Sequence, residues 1–178
     1  MREEGLPLHT VSVNLSRSRV DGDTLKQQLI ECIDKYNLPH DCIEFELTES
    51  ASYSDMDSLF RFLDELREEG FYVSMDDFGT GYSSLNLLLN MPMDTLKIDK
   101  CFVDSILEHD EDSKECMLLR DIISIGKHMG FCCLAEGAEE QKQIDFLRKY
   151  GCDKIQGYYY SRPIPEEEFI EKIRKGGK

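Results

Sequence analysis

Two adjacent carboxylates at the end of an apolar run constrain this chain more than any other feature. Residues 73–84 read V-S-M-D-D-F-G-T-G-Y-S-S, so Asp76 and Asp77 stand where a buried strand gives way to a loop rich in glycine and serine. Neighbouring strand residues point to opposite faces, and only a strand end lets both side chains turn toward one point. Two hard oxygen donors at one point predict a site for Mg²⁺ or Mn²⁺, with a simple Asp-Asp turn as the alternative.

The length and composition predict one cytoplasmic domain. The 178 residues fit a single domain, which we place at residues 1–178, and they can bury a substantial core. No stretch approaches the roughly 20 apolar residues that a membrane span requires. The first residues lack the apolar segment of a secretory signal.

Charge and cysteine content exclude other classes of protein. A formal net charge of −15 argues against binding DNA through a basic surface. The seven cysteines form no C-x-x-C pair, so they are interpreted as reduced core thiols, with zinc binding as the weaker alternative. The four histidines lack metal-ligand spacing, and we expect none of them to carry chemistry.

A strand-then-helix rhythm repeats six times along the chain. Strands are predicted at residues 10–15, 43–47, 71–75, 95–98, 131–135 and 154–160. Helices are predicted from about residue 23, from about 55, at 83–89, 112–129 and 139–150, and after Pro165. Six β-α units in succession predict an α/β fold with a parallel sheet wound right-handedly.

Polar residues occur near the carboxyl ends of all six predicted strands: Asn14, Glu46, Asp76, Lys97, Glu136 and Gln156. In a β/α barrel those ends meet at one mouth, whereas a doubly wound open sheet binds its ligand at one switch point. The pattern therefore favours the barrel. An inward Lys97 at a strand end requires a carboxylate or an anion as its partner, and the deeper Glu44 is predicted to make a structural hydrogen bond.

Six sequence motifs resemble those of the EAL domain family, bacterial signal-transduction phosphodiesterases that hydrolyse cyclic di-GMP. The matching segments are V-S-V-N-L-S at 11–16, E-L-T-E-S at 46–50, D-D-F-G-T-G-Y-S-S at 76–84, L-K-I-D-K at 96–100, A-E-G-A-E at 135–139 and Q-G-Y-Y-Y-S-R-P at 156–163. They follow the family's order and spacing over almost the whole chain. The resemblance implies a TIM-like (β/α)₈ barrel whose mouth holds two Mg²⁺ or Mn²⁺ ions.

The resemblance also implies roles for individual residues. Asn14, Glu46 and Asp76 would bind the first metal, while Asp76, Asp77 and Glu136 would bind the second. Lys97 would contact the attacking water. Cyclic di-GMP would be opened to linear pGpG by in-line attack, with the cations neutralising the charge that develops on phosphorus.

A further set of residues would shape the substrate site and its loop. By the same resemblance, Glu49 would anchor the loop at 78–84, which in the family connects the metal site with the dimer contact. Gln156 would help to order the site. The remaining residues assigned to this set are Phe78, Gly79, Asp99 and Pro163.

The signature Glu-Ala-Leu is absent from this sequence. In the family it precedes the V-N-L-S strand and its Glu binds the first metal, so the resemblance implies an N-terminally incomplete domain of about six β-α units. Six strands should not close a barrel, and the two edge strands would be left unpaired. We therefore expect a homodimer, or a further N-terminal segment, to cover them.

Two functions remain open at this point. The chain is either an EAL-type phosphodiesterase that is impaired or inactive alone, or a degenerate, non-catalytic EAL domain that binds cyclic di-GMP or a protein partner. Loss of one carboxylate from a two-metal site predicts weaker metal binding and slower turnover.

Overall fold

Six parallel strands form one sheet in which neighbours in sequence are neighbours in space. The computed structural model describes residues 6–15, 23–48, 56–79 and 85–176. The strands are β1 (Val11–Asn14), β2 (Ile43–Thr48), β3 (Tyr72–Phe78), β4 (Thr95–Ile98), β5 (Cys132–Ala135) and β6 (Lys154–Ile155). Each successive pair is parallel, as expected from six β-α units.

Helices connect the strands and cover one face of the sheet. They are α1 (Asp23–Asp34), α2 (Met56–Glu68), α3 (Leu85–Asn90), α4 (Lys100–Glu108), α5 (Lys114–His128), α6 (Gln141–Lys149) and α7 (Glu166–Arg174). A 3-10 turn at His40–Cys42 precedes β2. Leu59, Phe62, Leu63 and Leu66 of α2 recur at helical spacing and are all buried, so this helix presents one apolar stripe to the sheet.

The sheet has an apolar outer face and a polar inner face. Phe45, Leu47, Val73, Met75 and Leu96 are almost completely buried in the core that joins the sheet to the helices. The residues that alternate with them are polar and equally buried: Glu44, Glu46, Ser74, Thr95 and Lys97. Because alternate strand residues face opposite sides, the polar set lines the inside of the sheet.

The sheet curves strongly toward its polar side. Lys97 Nζ of β4 lies 2.7 Å from Glu46 Oε1 of β2, although β3 separates the two strands. Strands two places apart in a flat sheet are separated by about 10 Å. The short Thr95 side chain of β4 nevertheless reaches Glu44 Oε1 of β2 at 2.7 Å, which indicates a sheet that curves toward this face. The architecture is a half-barrel with helices outside, which confirms the predicted α/β barrel class.

The structure differs from the prediction at two places. Helix α4 was not expected: it begins directly after β4, where the Asp99 carboxylate accepts a hydrogen bond from the Cys101 amide at 2.9 Å. This cap starts a helix whose buried Val103 and Ile106 lie three positions apart. The strand predicted at 154–160 ends at Ile155, because the chain turns at Gly157 to pack against the backbone of Ala138.

The edge strands remain exposed, and the cysteines vary in burial. Val11 and Val13 of β1 are 54% and 44% exposed. The prediction of core thiols is confirmed for the buried Cys116 and Cys133 but wrong for the exposed Cys32, because not every apolar-looking position faces the core. None of the helices that the structure describes combines the length and apolarity needed to traverse a bilayer.

Candidate active site

The end of β3 carries the two adjacent carboxylates in a bulge. Met75 pairs with Leu96 and Phe78 pairs with Ile98, so the register shifts across Asp76 and Asp77. The backbone of Asp77 has φ of +55°, a left-handed conformation that is uncommon for a residue other than glycine. The bulge redirects Asp77 away from regular strand alternation, which is how two neighbouring Asp residues leave the same strand end.

A buried lysine forms ion pairs with three carboxylates from three different strand ends. Lys97 Nζ lies 2.7 Å from Glu46 Oε1, 2.9 Å from Asp76 Oδ1 and 2.7 Å from Glu136 Oε1. The lysine side chain is only 6% exposed. The expectation that an inward Lys97 needs a carboxylate partner is confirmed, and it has three.

The protonation of the cluster follows from its contacts. Burial alone would lower the pKa of Lys97, but its hydrogen bonds with Glu136, Glu46 and Asp76 outweigh burial and raise that pKa above its ordinary value. Burial raises the pKa of Glu136, although the hydrogen bond from Lys97 opposes the rise. Burial and the charges of Asp76 and Asp99 raise the pKa of the Asp77 carboxyl. The cluster is therefore a group of crowded carboxylates with one ammonium at its centre.

The strand register places Asn14 beside this cluster. Asn14 pairs with Glu46 across β1 and β2, so the two residues share the inner face of the sheet. The amide of Leu15 also donates a 2.9 Å hydrogen bond to the carbonyl of Glu46. An amide oxygen thus joins the face that carries Glu46, as the sequence predicted.

Three residues of the predicted substrate and loop set lie around the ends of β3 and β4. Phe78 is buried in the core, and its neighbour Gly79 adopts φ of +94°. Asp99 caps α4, so one of its carboxylate oxygens serves the helix. These positions put all three next to the bulge that holds Asp76 and Asp77.

Gln156 and Pro163 lie together beyond the end of β6. They line a cavity of about 510 Å³ whose wall also contains Tyr158, Arg162 and Phe169. The Gln156 backbone joins the end of β5, since its amide donates to the Ala135 carbonyl at 2.8 Å and its carbonyl accepts from the Ala138 amide at 3.1 Å. Glu49 and residues 80–84 of the predicted loop lie outside the described residues.

The donor chemistry of the cluster fits a hard divalent cation. Carboxylate oxygens from Glu46, Asp76 and Glu136 converge within 2.9 Å of one point, and such oxygens are the ligands that Mg²⁺ and Mn²⁺ prefer. That point is held by the Lys97 ammonium. Over the four described ranges, no three His, Cys, Asp or Glu side chains are arranged to hold a metal ion. A bound cation would accordingly share these carboxylates with Lys97.

Sequence reasoning missed the contribution of the first turn of α4 and of the layer below the cluster. The Glu44 carboxylate accepts hydrogen bonds from Ser12 at 3.0 Å and Thr95 at 2.7 Å, which confirms its predicted structural role but adds two unpredicted donors. The signal available in the sequence was the matched strand parity of Ser12, Glu44 and Thr95. Ser12 and Glu44 are direct partners on β1 and β2, whereas the contact of Thr95 with Glu44 spans β3 and depends on the curvature of the sheet.

Comparison with known proteins agrees with this geometry. The family model described as "EAL domain" matches residues 1–163. The cyclic di-GMP phosphodiesterase NbdA of Pseudomonas aeruginosa is 35% identical over 92% of this chain, which corresponds to 21% of that relative. The chain spans about a fifth of the length of the curated relatives that it matches.

Solved structures share the fold. The EAL domain of Mycobacterium smegmatis DcpA superposes with a TM-score of 0.91 at 31% identity, covering 98% of this chain and 78% of that one. A complex of Klebsiella pneumoniae BlrP1 with manganese and cyclic di-GMP superposes with a TM-score of 0.80 at 25% identity, covering 91% of this chain and 41% of that one. Motifs, curved sheet and family match coincide, and the chain belongs to the EAL domain family.

Proposed function

We propose that this chain provides the catalytic face of a cyclic di-GMP phosphodiesterase, which hydrolyses the cyclic dinucleotide to linear pGpG with the help of two Mg²⁺ or Mn²⁺ ions. The observation that carries the proposal is the convergence of Glu46, Asp76 and Glu136 on Lys97 at the carboxyl ends of β2 to β5. A barrel mouth is where chemistry is assembled in this architecture. The manganese and cyclic di-GMP complex of BlrP1 supports the choice of metal and substrate.

Each residue has a defined task in this proposal. Asn14, Glu46 and Asp76 would hold one cation, and Asp76, Asp77 and Glu136 the other. Bound there, the cations supply positive charge to the phosphodiester and lower the pKa of a coordinated water. Lys97 has protons to donate and no lone pair to accept one, so it orients oxygen atoms and does not act as a base.

The reaction balances as a hydrolysis. The water oxygen forms a bond to phosphorus while the bond between phosphorus and one ribose oxygen breaks. The proton that the water loses is matched by the proton that the leaving oxygen gains. Lys97 holds Glu46, Asp76 and Glu136 close together before substrate binds, and such preorganisation favours electrostatic stabilisation.

A receptor that binds cyclic di-GMP without hydrolysing it is the second candidate. The observation in its favour is that the Lys97 ammonium occupies the point where the three carboxylates meet. In this alternative, Lys97 replaces the metal charge and the site retains only its affinity for the nucleotide. The two candidates differ in product formation.

The deciding experiment is hydrolysis of cyclic di-GMP by the purified chain with excess Mn²⁺ or Mg²⁺. We expect pGpG to appear with the wild-type chain and with Asp64→Ala, which removes an exposed carboxylate of α2. Asp76→Ala should abolish it. Calorimetric binding of cyclic di-GMP without any pGpG would instead establish the receptor.

We further propose that the exposed edge strands are covered in the functional protein by self-association or by a further segment. The support is the exposure of Val11 and Val13 in β1 together with Tyr158 beyond β6, which is 51% exposed. Light scattering at micromolar concentration tests self-association. A monodisperse monomer would contradict it.

A further inference from the structure

The first turn of α4 contacts the backbone on both sides of the carboxylate cluster. One residue, Asp99, separates β4 from α4, so the turn is tied to the strand that carries Lys97. Glycines follow the cluster on both neighbouring strands, with Gly79 just past Asp76 and Asp77 and Gly137 just past Glu136. Both glycines have a positive φ, +94° and +73°.

Phe102 fills the space beside Gly79. A methyl group built on Gly79 would lie 2.4 Å from Cε2 and 2.6 Å from Cζ of the Phe102 ring. The ring is half-buried and packs against the core, so it has little freedom to retreat. Phe102 thereby limits how far the chain after the Asp76 and Asp77 bulge can move toward α4.

Lys100 fills the space beside Gly137. A methyl group on Gly137 would lie 2.4 Å from Cγ, 2.6 Å from Cδ and 2.8 Å from Cβ of Lys100. The Lys100 ammonium is held at 2.6 Å from Asp104 and 3.4 Å from Glu139. These two ion pairs stretch the methylene stem across Gly137, directly after Glu136.

The two contacts fix opposite sides of one site. Ile98, the last residue of β4, pairs with Phe78 on one side and Ala135 on the other, and its carbonyl accepts a 3.0 Å hydrogen bond from the Glu136 amide. Beyond Ile98 the ladder ends. Past that point, the side chains of Phe102 and Lys100 contact the two neighbouring chain segments at Gly79 and Gly137.

We propose that Phe102 and Lys100 are positioning residues, which set the distance of the Asp76–Asp77 bulge and of Glu136 from Lys97 by packing against Gly79 and Gly137. The Mn²⁺-affinity and activity readouts of this inference rest on the proposed function, whereas the hydrogen-exchange readout does not. The methylene stem of Lys100 contacts Gly137, and the two ion pairs of its ammonium hold the stem there.

A double-substitution cycle tests the Lys100 contact. We expect Gly137→Ala to weaken Mn²⁺ binding about tenfold, as outer-shell changes do, measured by titration calorimetry. Lys100→Gly removes all three crowding atoms, so the double variant should bind Mn²⁺ more tightly than Gly137→Ala alone. Lys100→Met keeps the stem but removes both ion pairs, so it should lose less Mn²⁺ affinity than Lys100→Gly. If the double variant binds Mn²⁺ no more tightly than Gly137→Ala, the loss of affinity arises from backbone strain and the proposal is overturned.

A matched pair in the same helical turn tests the Phe102 contact. Phe102→Ala removes the ring beside Gly79, whereas Val103→Ala removes buried core atoms, and Val103 is not among the nearest neighbours of Gly79 or Gly137. We expect a tenfold weaker Mn²⁺ affinity and about 100-fold lower kcat for Phe102→Ala, because small displacements of reacting groups reduce rate strongly. Equal losses in Val103→Ala would assign the effect to general stability and overturn the proposal.

The readouts separate this inference from the proposed function. If the wild-type chain binds Mn²⁺ but does not hydrolyse cyclic di-GMP, the proposed phosphodiesterase activity is refuted. The Mn²⁺ affinities of the single and double variants would still test the positioning residues. If the wild-type chain binds no Mn²⁺, amide hydrogen exchange at Glu136 provides the measurement. Exchange there should accelerate in Gly137→Ala and return toward the wild-type rate in the double variant; unchanged exchange would overturn the proposal.

Discussion

The Thr95 hydroxyl donates a 2.7 Å hydrogen bond to Glu44 Oε1, joining β4 to β2 across the inner face of the curved sheet. The Ser12 hydroxyl donates to the other oxygen of the same carboxylate at 3.0 Å. Glu44 is almost completely buried, and these two hydrogen bonds offset the desolvation of its carboxylate. Beneath the carboxylate cluster, these hydrogen bonds therefore connect β1, β2 and β4.

Thr95→Val should destabilise the fold by about 1.5 to 2 kcal/mol, because it leaves a buried carboxylate oxygen without its donor at nearly unchanged side-chain volume. Urea denaturation measures the free energy of unfolding. Thr10→Val is the matched control: the Thr10 hydroxyl donates to the Asp41 carbonyl at an exposed position, and its loss should change stability by less than about 0.5 kcal/mol. Equal effects of the two substitutions would contradict the role given to Thr95.

Lys97→Met should destabilise the metal-free chain by about 3 kcal/mol, since it leaves Glu46, Asp76 and Glu136 crowded together without their shared cation. Added Mn²⁺ should restore part of this stability, because a divalent cation satisfies the same carboxylates. Urea denaturation with and without MnCl₂ measures both effects. A variant as stable as the wild type in the absence of metal would show that the cluster is not held by Lys97.

Gly157→Ala should be more damaging than Gly130→Ala. A methyl group on Gly157 would lie 2.1 Å from the Ala138 carbonyl oxygen, a backbone atom that cannot move aside, and we expect a loss of about 3 kcal/mol. Gly130 has φ of +84° with no atom within 4 Å of the added methyl, so only the left-handed backbone penalises the substitution, by about 1 to 2 kcal/mol. Thermal unfolding of both variants ranks them, and the reverse order would be inconsistent with the turn seen after β6.

His40 should make the fold more stable at pH 6 than at pH 8. Its Nδ1 lies 2.6 Å from the Glu69 carbonyl, its Nε2 lies 3.1 Å from Asp34 Oδ1, and its ring stacks on Phe71. Burial by itself lowers the pKa of His40, but these two hydrogen bonds outweigh it and raise the pKa above its ordinary value.

A raised pKa means that the folded state binds the proton more tightly than the unfolded chain. The stabilisation is complete below the unfolded pKa of about 6.5 and disappears as the pH rises through the higher folded value. His40→Gln should remove this part of the difference in urea midpoint between pH 6 and pH 8. An identical pH dependence in His40→Gln and wild type would assign the effect to other groups.

Local sequence determined most of the fold and the identities of the cluster. Six strand-then-helix units in succession predicted a parallel α/β sheet, because a helical connection returns each strand parallel to the one before it. Glu46, Asp76, Lys97 and Glu136 were predicted from their places at strand ends, since parallel strands bring those ends to one edge.

Only the tertiary structure decided the contacts among these residues. The curvature that lets Lys97 reach Glu46 over β3 depends on how the whole sheet packs, and no local pattern encodes it. The packing of Phe102 and Lys100 on two distant glycines was likewise beyond local rules, because each contact joins residues that are far apart in sequence. The sequence by itself determined which groups reach the mouth of the half-barrel, and packing decided how far apart they are held.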